Sequence, residues 1–213
     1  MSTQHTITPQ FHQLWPTQLM ELTLPGHEMA NPVLADFVLQ ANASRDDMTA
    51  QYLNDNIFMI DHPALQWLNQ CCHQAILDYT RNLGIDYDLD FAIQGWPNVN
   101  MKGDYHNLHN HPHSWLSGTY YIAVPDQSSA DQFRSDLNFA AISFYDPRPQ
   151  ANMNAIRGDG QIDPEHRVQP QGGQLLLWPS FLHHFVHPNG VDMPRLSISF
   201  NVVLKWKKEY LPY

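Results

Sequence analysis

The run Arg195-Leu-Ser-Ile-Ser-Phe-Asn-Val-Val-Leu204 alternates polar and apolar side chains without a break from Arg195 to Val202. Successive side chains of a strand point to opposite faces, so Arg195, Ser197, Ser199 and Asn201 share one face and Leu196, Ile198, Phe200 and Val202 the other. The apolar face must pack against a second layer or a covering helix. The polar face, arginine included, then looks into the interior of a barrel. An unpaired guanidinium there is costly, and its planar fork suits a carboxylate or a phosphate. Two partners fit: a structural Asp or Glu, or a small molecule that carries a carboxylate.

The rest of the second half agrees with this reading. Phe91–Asn98, Leu116–Val124, Leu137–Tyr145, Gly173–Trp178 and Leu182–His187 are short strand-like segments separated by Gly, Pro, Asn and Asp. Several strands with turn signals between them and no intervening helix predict a double-sheet jelly roll or barrel. Asp126–Asp136 and Gln150–Gln161 read as long loops of the kind that serve as lids or binding loops. The first ninety residues are mixed and are expected to support this core, residues 91–205, within one domain spanning 1–213. Leu14–Leu24 reads as an early strand. Asn31-Pro32 is expected to open a short helix through Leu39, with Asn as N-cap and Pro in the first turn. Asp61-His-Pro63 starts a longer helix, in which Leu65, Leu68, Cys72, Ile76, Tyr79 and Leu83 recur at three and four residues and Gly84 closes the pattern.

Composition narrows the function classes. Lys plus Arg is 11 against 21 Asp plus Glu, a net charge of −10. This argues against sequence-independent nucleic-acid binding, which relies on basic patches to neutralise phosphates. The one basic run, Lys205-Trp-Lys-Lys208, reads as a solvated strand end. No apolar stretch approaches the ~20 residues needed to span a bilayer. No secretory signal is visible at the N-terminus, and the adjacent Cys71 and Cys72 are poorly placed to join in a disulfide. A cytoplasmic protein is expected, with a homodimer through the N-terminal strand and helices as one option.

Of 13 histidines, seven fall in two groups: His106, His109, His111 and His113, then His183, His184 and His187. Neutral imidazole is the commonest side-chain metal ligand. If His109 and His111 lie on a strand, they share one face and can enter one cavity. In the second group His184 shares a face with Leu182 and Val186, whereas His183 and His187 share the other. Either His183 or His184 is therefore available as a third ligand.

Eight matching segments resemble the 2-oxoglutarate/Fe(II)-dependent oxygenases, in particular their small bacterial and phage branch. They are Trp96-Pro-Asn98, His109-Asn-His-Pro112, Ser117-Gly-Thr-Tyr-Tyr121, Asp146-Pro-Arg148, Pro170-Gln-Gly-Gly173, Leu176-Leu-Trp-Pro-Ser180 with His184-Phe-Val-His-Pro188, and Arg195-Leu-Ser-Ile-Ser-Phe-Asn201. The resemblance implies a double-stranded β-helix (jelly roll, cupin-like), mainly β with flanking helices. It further implies Fe(II), 2-oxoglutarate and O₂ as cofactors, His184 as the distal metal ligand, and Arg195 as partner of the distal carboxylate of 2-oxoglutarate. Ser197 would assist that carboxylate, and Tyr121 and Asn98 would line the same pocket.

The sequence departs from the wider superfamily at one position. Most members carry His-x-Asp or His-x-Glu, which completes a two-histidine, one-carboxylate facial triad; here residue 111 is histidine. Either His109, His111 and His184 form an all-histidine set, which the motif position favours, or Asp104 or Asp146 supplies a carboxylate. A neutral set leaves more positive charge on the metal and relaxes discrimination against Zn, Ni and Cu. The implied activity is oxidation, by default hydroxylation, of a small molecule or amino-acid-like substrate with release of succinate and CO₂. His113 and Trp115 are candidates for the substrate entrance. Two other readings fit the histidines alone: a cupin-like three-histidine metalloenzyme that does not use 2-oxoglutarate, and a non-catalytic metal-binding module.

Overall fold

The computed structural model describes residues 10, 12–43, 56–130, 138–148 and 164–205. Their elements are β1 (Met20–Thr23), α1 (His27–Ala43), α2 (Pro63–Asn82), β2 (Phe91–Asn100), β3 (His106–His109), β4 (Leu116–Ala123), β5 (Ile142–Tyr145), β6 (Glu165–Val168), β7 (Gln174–Pro179), β8 (His184–Val186) and β9 (Arg195–Leu204), with a 3-10 turn at Ile57–Met59. The strands form two antiparallel sheets, ordered β1-β7-β4-β9-β2 and β3-β8-β5-β6. This is the double-sheet arrangement that the strand pattern predicts and the double-stranded β-helix that the resemblance implies.

The alternation along β9 decides the layering. Its apolar face joins Tyr120, Leu175, Leu177 and Ile93 in a core that α1 and α2 cover with Leu34, Val38, Leu65, Leu68, Cys72 and Ile76. Truncating one such leucine to alanine costs about 2–5 kcal/mol. A second, smaller cluster lies between the sheets and includes Tyr121, Ile142, Phe144, Leu176, Trp178 and Val186. The larger sheet thus presents one face to the helices and the other, polar along β9, to the smaller sheet.

α2 follows its sequence pattern. Pro63 stands in the first turn, where its missing N–H is no loss. Gly84, at φ +75°, takes the left-handed conformation that ends the helix.

α1 differs from expectation. It begins at His27, after Gly26, whose carbonyl accepts the N–H groups of Met29 and Ala30. Pro32 therefore lies inside the helix, where it has no N–H to give the Glu28 carbonyl. Asn31 is not a cap. Its Nδ2 donates to Ile122 O at 2.9 Å and its Oδ1 accepts from Tyr120 Oη, tying α1 to β4. Tertiary hydrogen bonds hold a helix start that local signals place later.

Two strands escaped the sequence reading. β3 and β6 are short sheet edges, and their His-Asn-Leu-His and Glu-His-Arg-Val sequences carry the polar and charged residues that blunt exposed edges. The early strand is confined to β1, and β5 starts only at Ile142, after Ala140 turns the chain at φ +60°. Of the two long loops, the first is described through Ala130 and Gln150–Gln161 lies outside the described residues.

Candidate metal and anion site

β3 and β8 pair so that His109 and His184 are direct Cα partners. His111 follows beyond the end of β3, held by its N–H to Ser180 O at 3.0 Å. Two-residue strand spacing alone therefore does not bring His109 and His111 together; the turn after β3 completes the convergence. One ligand atom from each of His109, His111 and His184 lies within 4.8 Å of the others. This is the one such group of three or more His, Cys, Asp or Glu among the described residues.

The hydrogen bonds around these rings favour metal binding. His109 Nδ1 faces Asn107 O at 2.5 Å and His184 Nδ1 faces Leu182 O at 3.0 Å. A carbonyl can only accept, so each Nδ1 carries a proton and Nε2 is the nitrogen left to ligate a metal. Burial first, and His109 second, push the pKa of His184 well below its ordinary value. The same two causes, with His106 third, lower that of His111 to about 4. Both imidazoles are thus neutral, ligating bases at neutral pH. Trp178 packs edge-on against His184 at a centroid distance of 5.0 Å, and Trp96 packs on His111 at 5.8 Å.

His183 is exposed on the opposite side of β8 from His184. His187, although buried, meets Ser143 Oγ with its Nε2 at 2.7 Å. Asp104 accepts from the Met101 N–H and Asp146 is paired with Arg148, so neither carboxylate the sequence offers joins the three histidines. His113 is exposed in the turn behind His111, at φ +72°. Trp115 packs instead against the core beneath the helices.

The four residues of the expected anion pocket come together on the inner face of the larger sheet. Asn98 on β2 and Tyr121 on β4 are both Cα partners of Ser197 on β9, so the three form one cross-strand row. Arg195 lies one step along the same face, opposite Asn100. Its side chain is 1% exposed. Nη2 donates to Asn100 Oδ1 at 2.8 Å, Nη1 reaches Ala140 O at 3.4 Å, and Nε has no partner among the described residues. Among the described residues no carboxylate pairs with it.

Five buried side-chain N or O atoms lack a hydrogen-bond partner among the described residues. Three of them, Asn98 Oδ1, Trp178 Nε1 and Arg195 Nε, belong to this inner face. Buried polar groups are normally satisfied, so their concentration here marks a face built to meet a ligand. Asn98 Nδ2 bonds Ser199 Oγ at 2.9 Å. Because Ser199 can donate or accept, the reverse amide orientation would turn a donor toward an anion.

Asn100, Trp96 and Trp178 escaped the sequence reading as site residues. The signal for Asn100 was the alternation of Trp96, Asn98 and Asn100, which continues two residues past the strand end expected at Asn98.

A double-stranded β-helix with a three-imidazole set and a buried arginine in its interior is an arrangement suited to a metal ion and an anionic ligand. The profile of the "Putative 2OG-Fe(II) oxygenase" family matches residues 94–201, just over half of the chain, beginning and ending at the paired residues Gln94 and Asn201. The chain belongs to this family, whose cofactors are Fe(II), 2-oxoglutarate and O₂. No curated protein matches it by sequence.

Solved structures carry the same fold. The chain is similar to a prolyl-4-hydroxylase from Pseudomonas putida, with 16% identity over 88% of each chain and a TM-score of 0.58. It is similar to a prolyl hydroxylase from Trichoplax adhaerens solved with a hypoxia inducible factor peptide fragment, with 15% identity over 87% of this chain and 83% of that one and a TM-score of 0.58. HygX from Streptomyces hygroscopicus, solved with nickel and 2-oxoglutarate, gives 12% identity over 92% and 85% and a TM-score of 0.55.

The residues present fit the family's cofactors. Three imidazoles, two of them oriented by a backbone carbonyl, suit Fe(II), and a buried arginine with an N–H unpartnered among the described residues suits the distal carboxylate of 2-oxoglutarate. No helix among the described residues is long and apolar enough to cross a membrane.

Proposed function

We propose that the chain is a 2-oxoglutarate-dependent oxygenase that hydroxylates a small molecule or amino-acid-like substrate. In this reading His109, His111 and His184 hold Fe(II), and Arg195 takes the distal carboxylate of 2-oxoglutarate. The observation that carries it is the Arg195 guanidinium, without a carboxylate partner among the described residues and buried on the barrel face that also bears the two tryptophans packed on His111 and His184. When bound, the iron lets O₂ and 2-oxoglutarate give succinate and CO₂, with the second oxygen atom inserted into a substrate C–H bond.

The protein's share is orientation and electrostatics. Arg195 offers a charge-assisted anchor at one end of the pocket. Ser197 lies beside it on β9 and adds a hydroxyl. Burial raises the Tyr121 phenol to about 12, so it remains protonated and able to donate. The row Asn98–Ser197–Tyr121 spans three adjacent strands, which hold its groups at fixed separation. Trp96 and Trp178 give His111 and His184 an apolar wall. The substrate would enter beside the exposed turn at His113. The peptide complex of the Trichoplax enzyme makes a peptide-borne side chain the second substrate form to test.

The test is an anaerobic titration of metal-free protein with Fe(II) and 2-oxoglutarate, following the visible charge-transfer band of the chelate. The band should appear with wild-type protein and be lost in Arg195→Ala with iron retained. Iron binding without the band would favour the cupin-like chemistry instead.

A further inference from the structure

Asn100 occupies the position opposite Arg195 on β2, where a carboxylate would form a buried ion pair. It is 4% exposed and bridges two groups. Its Oδ1 accepts from Arg195 Nη2 at 2.8 Å, and its Nδ2 lies 3.1 Å from His106 Nε2. A guanidinium has no acceptor, so the oxygen must face Arg195 and the amide nitrogen must donate to His106. His106 precedes His109 on β3, which ties the orientation of the arginine to the strand that carries a metal ligand.

We propose that Asn100 is a specificity-determining residue for the 2-oxoglutarate of the function proposed above. It orients Arg195 through a neutral oxygen and so reserves the guanidinium's charge for the ligand's distal carboxylate. The inference rests on that functional reading. Its physical content is that two acceptors compete for one cation. Asn100 and Ala140 O hold the guanidinium by neutral bonds, which leave its charge uncompensated. An Asp at the same position would satisfy Arg195 internally, and the incoming carboxylate would have to displace it. Asparagine and aspartate are isosteric; the substitution adds a charge and turns the donor facing His106 into an acceptor, which His106 can meet by presenting its Nε2–H.

The experiment compares wild type, Asn100→Asp and Asn100→Ala, each loaded anaerobically with Fe(II). Three quantities are read: Fe(II) affinity, the 2-oxoglutarate dissociation constant from the absorption titration, and the melting temperature of the metal-free protein. The expected order of 2-oxoglutarate affinity is wild type, then Asn100→Ala weaker by about tenfold or less, then Asn100→Asp weaker by about 100-fold. Fe(II) affinity should be unchanged, and metal-free Asn100→Asp should melt no lower than wild type, because its carboxylate pairs with Arg195.

Equal affinity in wild type and Asn100→Asp overturns the role of Asn100 while the functional reading stands. So does a loss in Asn100→Ala as large as in Asn100→Asp, which would mean the residue acts only as a structural support. An Asn100→Asp protein that melts well below wild type overturns it as well, since its carboxylate would be buried unpaired. Wild-type protein that binds Fe(II) and no 2-oxoglutarate refutes the functional reading itself.

Discussion

His109 and His184 face one another across β3 and β8, partners in register with ring centroids 4.2 Å apart. Residues 75 positions apart in the chain thus become neighbours through one strand pair of the smaller sheet. The pairing also explains why β8 contributes one histidine to the site. The pleat that turns His184 inward turns His183 to solvent.

His184→Ala is therefore expected to lose Fe(II) or Ni(II) affinity by more than about 100-fold, since losing a hydrogen bond behind a ligand already costs 10–100-fold. His183→Ala should leave affinity unchanged. Isothermal titration of both variants under anaerobic conditions checks this. Equal losses would remove His184 from the proposed metal site.

Arg195 is expected to trade stability for binding. A guanidinium that is 1% exposed and lacks a carboxylate partner among the described residues costs several kcal/mol of desolvation. Replacing it with the similarly long, apolar Met should leave the ligand-free melting temperature unchanged or raised, and abolish the gain in melting temperature on adding 2-oxoglutarate. Thermal scans with and without 2-oxoglutarate measure both effects.

The metal-free protein should lose stability in acid. His106 is lowered from 6.5 to about 4 by burial, then by Arg195 and by His109; His111 is lowered to about 4 as well. The unfolded chain takes up these protons near pH 6.5, whereas the folded chain does so only near pH 4. Between those values the unfolded state holds more protons, so stability falls as pH drops through the window and is level above it. Urea midpoints across that range should show this fall, and His106→Gln should reduce its slope.

Gly118 tests the packing behind the site. A Cβ there would lie 2.4 Å from Phe200 Cζ and 2.8 Å from Leu176 O, and the second of these is backbone that cannot swing aside. Gly118→Ala should cost about 1–3 kcal/mol, read as a lower urea midpoint. A neutral result would show that β4 and β7 can separate without penalty.

The strand content, the long helix α2 and the polar face of β9 were legible in the sequence because each is a local periodicity. The two histidine groups and Arg195 were legible as residue types suited to a metal and an anion. The choice between His183 and His184 came from the family resemblance; the structure puts His184 near His109 and His111 and His183 in solvent. The start of α1 was misread because Asn31 and Pro32 carry the signature of a helix N-terminus, while the hydrogen bonds Asn31 gives to Ile122 and accepts from Tyr120 are non-local.

The sequence by itself determined the fold class and the chemical character of the site, since alternation and composition are written residue by residue. Only the tertiary structure decided which groups meet. It set His109 opposite His184, brought His111 in from beyond its strand, and kept Asp104 and Asp146 engaged elsewhere. It also gave Arg195 a neutral partner in Asn100. Those choices depend on register between strands distant in sequence, and register is set by pairing and burial across the whole sheet rather than by any one segment.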